Sequence, residues 1–294
     1  MTTEQALVSV VIPVYNAAGT IRQTIEAVQQ QHCRAHEIIV VDDGSTDATA
    51  SVLQSFGAQI RYVRQSNQGP AAARNCGVRA ATGEFIAFTD SDCLPQPDWL
   101  CQLLRGFTAD QIAGVGGLIR HATQGLIGEY VDVAGFLNPR PGAHSEIPYL
   151  ITANACFRRA ALLQAGLFDE RFRKPGGEEP ELCLRLKTLG YEFRRADEAL
   201  VLHHHRQTVA SLLKTLANYG EGAFVFGQIA PAQRWQRPRA RLARLLLRLP
   251  LFAQRVPAYR RQFGIAKACC FSLLDALREI AFVAGYLRGM RRAS

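Results

Sequence analysis

Apolar residues come in short blocks along the chain, and most of the turn formers sit between them. Val8-Ser9-Val10-Val11-Ile12-Pro13 is a β-branched run closed by proline, as a buried strand reads. Glu37-Ile38-Ile39-Val40-Val41 is a second such run, Gln59 to Arg64 a third, and Glu84-Phe85-Ile86-Ala87-Phe88-Thr89 a fourth. Between them, residues 17–31 carry Ile21, Ile25 and Val28 at helical spacing. Residues 46–56 read as a helix capped by Ser45 or Thr46, and Gly69 to Ala81 as an alanine-rich helix. Strands alternating with helices imply βαβ units and a parallel sheet over residues 7–110. The stretch after that is mixed: loops rich in glycine and proline at 114–117 and 138–148, a helix at 178–190 and a strand at 199–205.

The charge refines this picture. The chain has 294 residues, 34 Lys+Arg and 25 Asp+Glu, for a net charge of +9. From Pro231 to Ser294 there are 14 basic residues against Asp275 and Glu279, so this segment carries +12 and the rest −3. A slightly acidic body with a basic, apolar tail suggests a catalytic or binding domain over 1–228 and an attachment segment over 229–294. The body divides into a half at 7–110 and a half at 111–228. No uncharged apolar run is long enough for an ordinary transmembrane helix, and Met1-Thr2-Thr3-Glu4 lacks the basic start of a signal peptide. The eight cysteines form no CxxC pair, so neither a zinc site nor a disulfide framework is indicated. The expectation is a reducing, cytoplasmic chain.

Open parallel sheets bind ligands at the carboxyl ends of their strands. Here those ends carry Pro13-Val14-Tyr15-Asn16, Asp42-Asp43 and Asp90-Ser91-Asp92. Acidic groups at two strand ends repel one another unless a cation or hydrogen-bond donors join them. A hard divalent ion takes carboxylate oxygens and keeps positions open for phosphate oxygens, so Asp90-x-Asp92 reads as a Mg²⁺ or Mn²⁺ site facing a diphosphate. The competing reading is that Asp and Ser are merely turn formers. No Walker or GxGxxG loop is present, so metal, arginine and side-chain contacts would have to hold a nucleotide. Arg74 is the candidate arginine, although a solvated helix charge reads the same way.

Four motifs, in order, resemble those of the family 2 glycosyltransferases: Val8 to Asn16, Ile39-Val40-Val41-Asp42-Asp43-Gly44-Ser45-Thr46-Asp47, Asn67-Gln68-Gly69-Pro70 through Ala73-Arg74-Asn75, and Asp90-Ser91-Asp92. The resemblance covers roughly residues 7–225. It implies an α/β fold of the GT-A, Rossmann-like kind, a mixed sheet flanked by helices, here with a C-terminal helical extension. It implies transfer of a sugar from a nucleotide-diphosphate sugar to an acceptor hydroxyl, with inversion. Pro13, Tyr15 and Asp42 would line the nucleoside pocket with Val14, Asn16 and Asp43 beside them. Arg74 would lie near base or diphosphate, Asp90 at the ribose with Ser91 next to it, and Asp92 on the metal. The family's base lies in a Glu-Asp pair opening a helix. Here the segment is Gly176-Gly177-Glu178-Glu179-Pro180-Glu181, with Glu179 where Asp is usual, Glu178 its neighbour and Pro180 suited to the first helical position. Carboxylates so close together would raise one another's pKa. Acidic charge complementing a helix dipole explains part of the same pattern. His203 is the expected histidine of the metal shell, with His205 second, Asp90 also near the ion and Arg206 on the diphosphate. Asn154 is assigned to the sugar or acceptor pocket.

The processive members' Q-x-x-R-W motif is absent; Gln233-Arg234-Trp235 has the wrong spacing, so single-residue transfer is expected. UDP is the favoured nucleotide, and cell-envelope glycan, polysaccharide or glycolipid assembly the favoured setting. The acceptor would be a saccharide or a lipid-linked sugar. In the tail, Leu242, Leu245, Leu246 and Leu249 interleave with Arg241, Arg244 and Arg248. This suggests helices lying on an anionic membrane surface, the inner face of the cytoplasmic membrane. A helical cap on the body, or a homodimer contact, is the competing reading. No nucleic-acid motif is present. Two other classes stay open: a catalytically degenerate nucleotide-binding member acting through a partner, and a sugar nucleotidyltransferase.

Overall fold

The computed structural model describes residues 6–122, 125–139, 147–204, 208–230 and 252–293. In chain order the elements are β1 (Val8–Val14), α1 (Ile21–Gln29), β2 (Glu37–Asp42), α2 (Thr49–Gln54), β3 (Arg61–Arg64), α3 (Pro70–Ala80), β4 (Phe85–Phe88), β5 (Cys93–Pro95), α4 (Trp99–Arg105), β6 (Ile112–His121), α5 (Leu126–Ala134), β7 (Ala155–Arg158), α6 (Arg159–Gln164), α7 (Glu178–Thr188), β8 (Glu192–His203), α8 (Val209–Ile229) and α9 (Phe252–Ala293). The strands form one mixed sheet in the order β3-β2-β1-β4-β7-β6-β8-β5. β1 pairs in parallel with β2 and β4, and β2 with β3, as βαβ units require. β7 runs antiparallel to β4 and β6, and β5 antiparallel to β8.

Two compact units divide the chain: Met1–Gln124 with Val131–Arg173 and Glu179–His205, and Gly125–Tyr130 with Lys174–Glu178 and Arg206–Ser294. The tail-bearing unit thus takes in residues from 206 onward, ahead of the 228/229 division read from the sequence.

In the first unit the central strands are buried on both faces, which explains their unbroken apolar runs. Val10, Ile12, Val40 and Trp99 pack in one cluster, while Val11, Ile39, Val41 and Phe157 pack in another. The glycine-rich stretch 114–117, expected as a loop, lies inside β6. Glycine serves close approach there: a Cβ on Gly117 would collide with the Asn154 side chain and the Ala199 carbonyl. The helix expected from 46 starts at Thr49, and neither Ser45 nor Thr46 caps it. Asp47 accepts the Thr49 N–H instead, because Asn16 takes Ser45 and Thr46 for itself. Among the described residues, β6 has no strand on its β7 side past Gly116. Two side chains occupy that edge: the Asn138 amide bonds both the N–H and the carbonyl of Ile119, and Asp132 accepts the His121 N–H. Cys33 and Cys101 form a disulfide with Cα atoms 5.3 Å apart, which corrects the reading of eight unpaired cysteines.

In the second unit, α8 and α9 pack through small residues. A Cβ on Gly220 would meet the Phe282 carbonyl, and one on Gly285 the Ala217 carbonyl, so the two backbones touch. α9 is broken at Gly264, whose φ is +78°. Asp275 accepts the phenols of Tyr130 and Tyr259, each at 3.0 Å, and meets Arg278 at 3.3 Å. Among the described residues no helix is long and apolar enough to cross a membrane.

Candidate active site

The expected site residues divide by what their polar atoms already hold. Val14 is a core residue, 2% exposed, and its carbonyl accepts the Asp43 N–H. Asn16 adopts φ +51°, which asparagine tolerates, and its amide oxygen holds the Thr46 N–H at 2.8 Å. Asp42 is fully buried: Oδ1 takes the Ser45 N–H at 2.7 Å and Oδ2 the Tyr62 hydroxyl at 3.0 Å. Burial, and then this bond, push the Tyr62 phenol pKa up. Asp43 accepts the Gln65 amide and the N–H groups of Gln68 and Gly69, at 2.7 to 2.8 Å. It clamps the loop that leads into α3. Pro13 is half-buried and Tyr15 exposed at the same edge.

Asn154 lines a small pocket with Gly116, Gly117, Tyr149 and Arg195, and its side chain also braces the sheet. Its oxygen accepts the Trp99 indole N–H at 2.7 Å, and its nitrogen donates to the carbonyls of Leu118 and Ala199. All of its hydrogen-bonding groups are spent joining α4, β6 and β8, which is why a buried amide is stable there.

The second acidic strand end is open. Asp90 and Asp92 have side chains about a third exposed (32% and 34%), with Ser91 in the turn between them. Arg74 reaches Asp90 at 3.3 Å from α3, its buried guanidinium lying over the Phe168 ring. The β5–β8 ladder puts Cys93 opposite His203, so the His203 ring reaches Asp92 at 3.1 Å. Burial alone would lower the His203 pKa, but the Asp92 carboxylate beside the ring holds it well above the ordinary histidine value.

Asp92, Cys93 and His203 offer ligand atoms within 4.8 Å of one another. Burial pushes the Cys93 thiol pKa up, so it presents S–H rather than thiolate. The usable donors are then one carboxylate oxygen and one imidazole nitrogen, a set that suits Mn²⁺ or Mg²⁺ and leaves positions open for phosphate oxygens. The residues fit such an ion. Asp90 belongs to Arg74 rather than to this cluster, and His205 and Arg206 lie outside the described residues.

Glu179 is tied to the same place by a short relay. Thr152 donates its N–H (2.8 Å) and hydroxyl (2.6 Å) to Glu179 Oε1. The next carbonyl, of Ala153, accepts the hydroxyl of Thr89, the residue before Asp90. Burial, and then the Glu179 charge, push the Tyr149 phenol up to about 12. Glu178 instead accepts the Gly176 N–H at 2.7 Å, and Glu181 pairs with Arg185 at 2.6 Å. Each of the three carboxylates thus has a partner of its own. α7 begins at Glu178, so Pro180 is its third residue, still in the first turn, where a missing N–H costs nothing. Thr152 and Tyr62, which hold Glu179 and Asp42, carry no sequence signal that singles them out.

A sheet of this order, with an open acidic turn facing a histidine, is the GT-A architecture. The family model described as "Glycosyl transferase family 2" matches residues 9–164, and the chain belongs to that family. Among curated proteins it is 34% identical over 226 residues to the pre-mycofactocin glycosyltransferase of Mycobacterium tuberculosis, an alignment covering 74% of this chain and 46% of that protein. The chain thus spans about half the length of this relative. Among solved structures it resembles a mannosyltransferase from Pyrobaculum calidifontis in complex with GDP-Man and Mn²⁺, with TM-score 0.69 and 19% identity over 98% of this chain and 88% of that one. It also resembles GalNAc-T7 with UDP, GalNAc and Mn²⁺, with TM-score 0.56 and 18% identity over 74% of this chain and 47% of that one. At these identities the likeness is one of fold.

Proposed function

We propose that the chain is an inverting glycosyltransferase that moves one sugar from a nucleotide-diphosphate sugar, UDP favoured, to an acceptor hydroxyl. The observation that carries this reading is the Asp92–His203 pair at 3.1 Å at the sheet's carboxyl edge, with Glu179 held nearby through Thr152. Asp92 and His203 would hold Mn²⁺ or Mg²⁺, and the bound ion would supply positive charge to the departing diphosphate. Arg74 and Asp90 would set the nucleotide against this edge. Tyr15 and Pro13 would flank the nucleoside, with Asp42 keeping their turn in shape. Glu179 would take the acceptor's proton as its oxygen attacks the anomeric carbon. Thr152 orients one carboxylate oxygen of Glu179.

The acceptor is read as a saccharide or lipid-linked sugar of cell-envelope glycan, polysaccharide or glycolipid assembly. On the tail, Leu273 (61% exposed), Ile280 (52%) and Leu287 (47%) recur seven residues apart on one face of α9, with exposed Arg288 and Arg291 beside them. That face suits an anionic membrane surface, with the leucines in the acyl boundary and the arginines at phosphates. Leu273→Asp with Ile280→Asp would release the chain from anionic vesicles if this is so.

The test of transfer is Glu179→Gln. It should bind UDP with Mn²⁺ as the parent does, and lose about 10² to 10⁴ of the rate of UDP release from a panel of UDP-sugars with saccharide acceptors. A fully active variant moves the base elsewhere. Nucleotide binding without turnover in the parent chain favours the degenerate, partner-directed reading.

A further inference from the structure

We propose that His121, held by Asp132, is a saccharide-hydroxyl contact of this site, a specificity residue beside the metal-ligating pair; the inference rests on the glycosyl-transfer reading above. The β6–β8 ladder pairs His121 with His203 directly. Adjacent strands lie about 4.8 Å apart, so the two side chains leave neighbouring positions of the sheet. They also share a face: Ile119 and Val201, two residues before each, are both buried in the same cluster. His121 is thus one strand from the ligand that meets Asp92, at the carboxyl end of β6.

Its chemistry is set by Asp132. The carboxylate lies 2.7 Å from His121 Nδ1 and also accepts the His121 backbone N–H at 3.4 Å. A carboxylate only accepts, so Nδ1 carries the proton, and in the neutral ring Nε2 is left with a lone pair. The His121 side chain is 26% exposed and the Asp132 side chain 12%, so the pair is sheltered yet open at the ring. An imidazole nitrogen fixed this way accepts a hydrogen bond from a hydroxyl. Apart from the ribose, which the reading above places at Asp90, the hydroxyls beside the metal in a nucleotide-sugar enzyme belong either to the transferred sugar or to the acceptor sugar. Asp132 acts through His121 as a positioning residue.

The test is calorimetry on the full chain with Mn²⁺. UDP should bind His121→Ala as it binds the parent, because UDP lacks the transferred sugar; weaker UDP binding would put the hydroxyl on the ribose and overturn the proposal. If the hydroxyl belongs to the donor, UDP-glucose, UDP-galactose and UDP-GlcNAc should bind the variant about three- to tenfold more weakly than the parent, the size of one neutral hydrogen bond. If it belongs to the acceptor, those affinities hold, and free glucose, galactose or mannose loses its saturation-transfer NMR contact with the UDP-loaded variant. His121→Gln, whose amide oxygen also accepts, should recover most of the loss. Asp132→Ala should give the same loss, with ¹⁵N shifts of His121 showing the Nδ1–H tautomer is no longer held. Equal behaviour of parent and His121→Ala toward UDP-sugars and free sugars overturns the proposal alone. Lost turnover with unchanged sugar affinity overturns it in favour of a proton-transfer role. A parent chain that binds no UDP overturns the nucleotide reading and this one with it.

Discussion

Two acidic turns close neighbouring parts of the same sheet edge, Asp42-Asp43 after β2 and Asp90-Ser91-Asp92 after β4, and their fates differ. Backbone N–H groups, the Gln65 amide and a phenol satisfy the first pair inside the protein, with the Arg64 guanidinium 3.8 Å from Asp42, and neither carboxylate is exposed beyond a few per cent. The second pair keeps about a third of each side chain in solvent, and its partners are cations or groups that become so, Arg74 and His203. Surplus backbone donors make a carboxylate part of the scaffold; their scarcity leaves it as a ligand. The same composition thus yields a clamp at one strand end and, on the reading proposed above, a binding site at the next.

The comparison breaks most visibly at Asp43. Asp43→Ala should cost about 3–4 kcal/mol of stability in urea unfolding, since three donors lose a charged acceptor. A change under about 1 kcal/mol would make Asp43 a ligand after all. Asp92→Ala should leave stability within about 0.5 kcal/mol and weaken Mn²⁺-dependent UDP binding at least about tenfold, or about 1.4 kcal/mol. Unchanged affinity removes Asp92 from the metal set. Tyr62→Phe should cost about 1 kcal/mol, the net worth of one buried hydrogen bond, and sharpen how much of the Asp42 clamp is side-chain made.

The smallest effect is one of pH. The His203 pKa is raised in the folded chain, so in the absence of metal its pairing adds stability that is full below the ordinary histidine value and fades as pH rises through the folded one. Metal-free melting temperature should therefore fall between pH 6 and pH 9 more in the parent than in His203→Asn. Parallel curves would deny the pairing.

The strands, their order of appearance and both acidic turns were legible because buried β-branched runs and strand-end acids are local signals. Which turn is the clamp was not, since it depends on Gln68 and Gly69 folding back 25 and 26 residues later in the chain. Gly114, Gly116 and Gly117 read as a loop because glycine marks both turns and crowded strands, and only the approach of Leu150 and Asn154 separates the two. Asn154 reads as a site residue because its motif resembles one. Its partners on α4, β6 and β8 are visible only in three dimensions. The Cys33–Cys101 pair, 68 residues apart, has no spacing signal at all. Glu179 was legible through its position at a helix start, but its restraint by Thr152 was not.

The side chains of Asn138 and Asp132 along β6 bear on solubility. A bare run of strand from Leu118 to His121 is a template on which another chain can add itself by backbone pairing. Asn138 occupies the donor and the acceptor such a chain would need at Ile119, and Asp132 places a negative charge at the next paired position. Among the described residues the side chains of Asn138 and Asp132 thus do at this edge what a further strand would otherwise do.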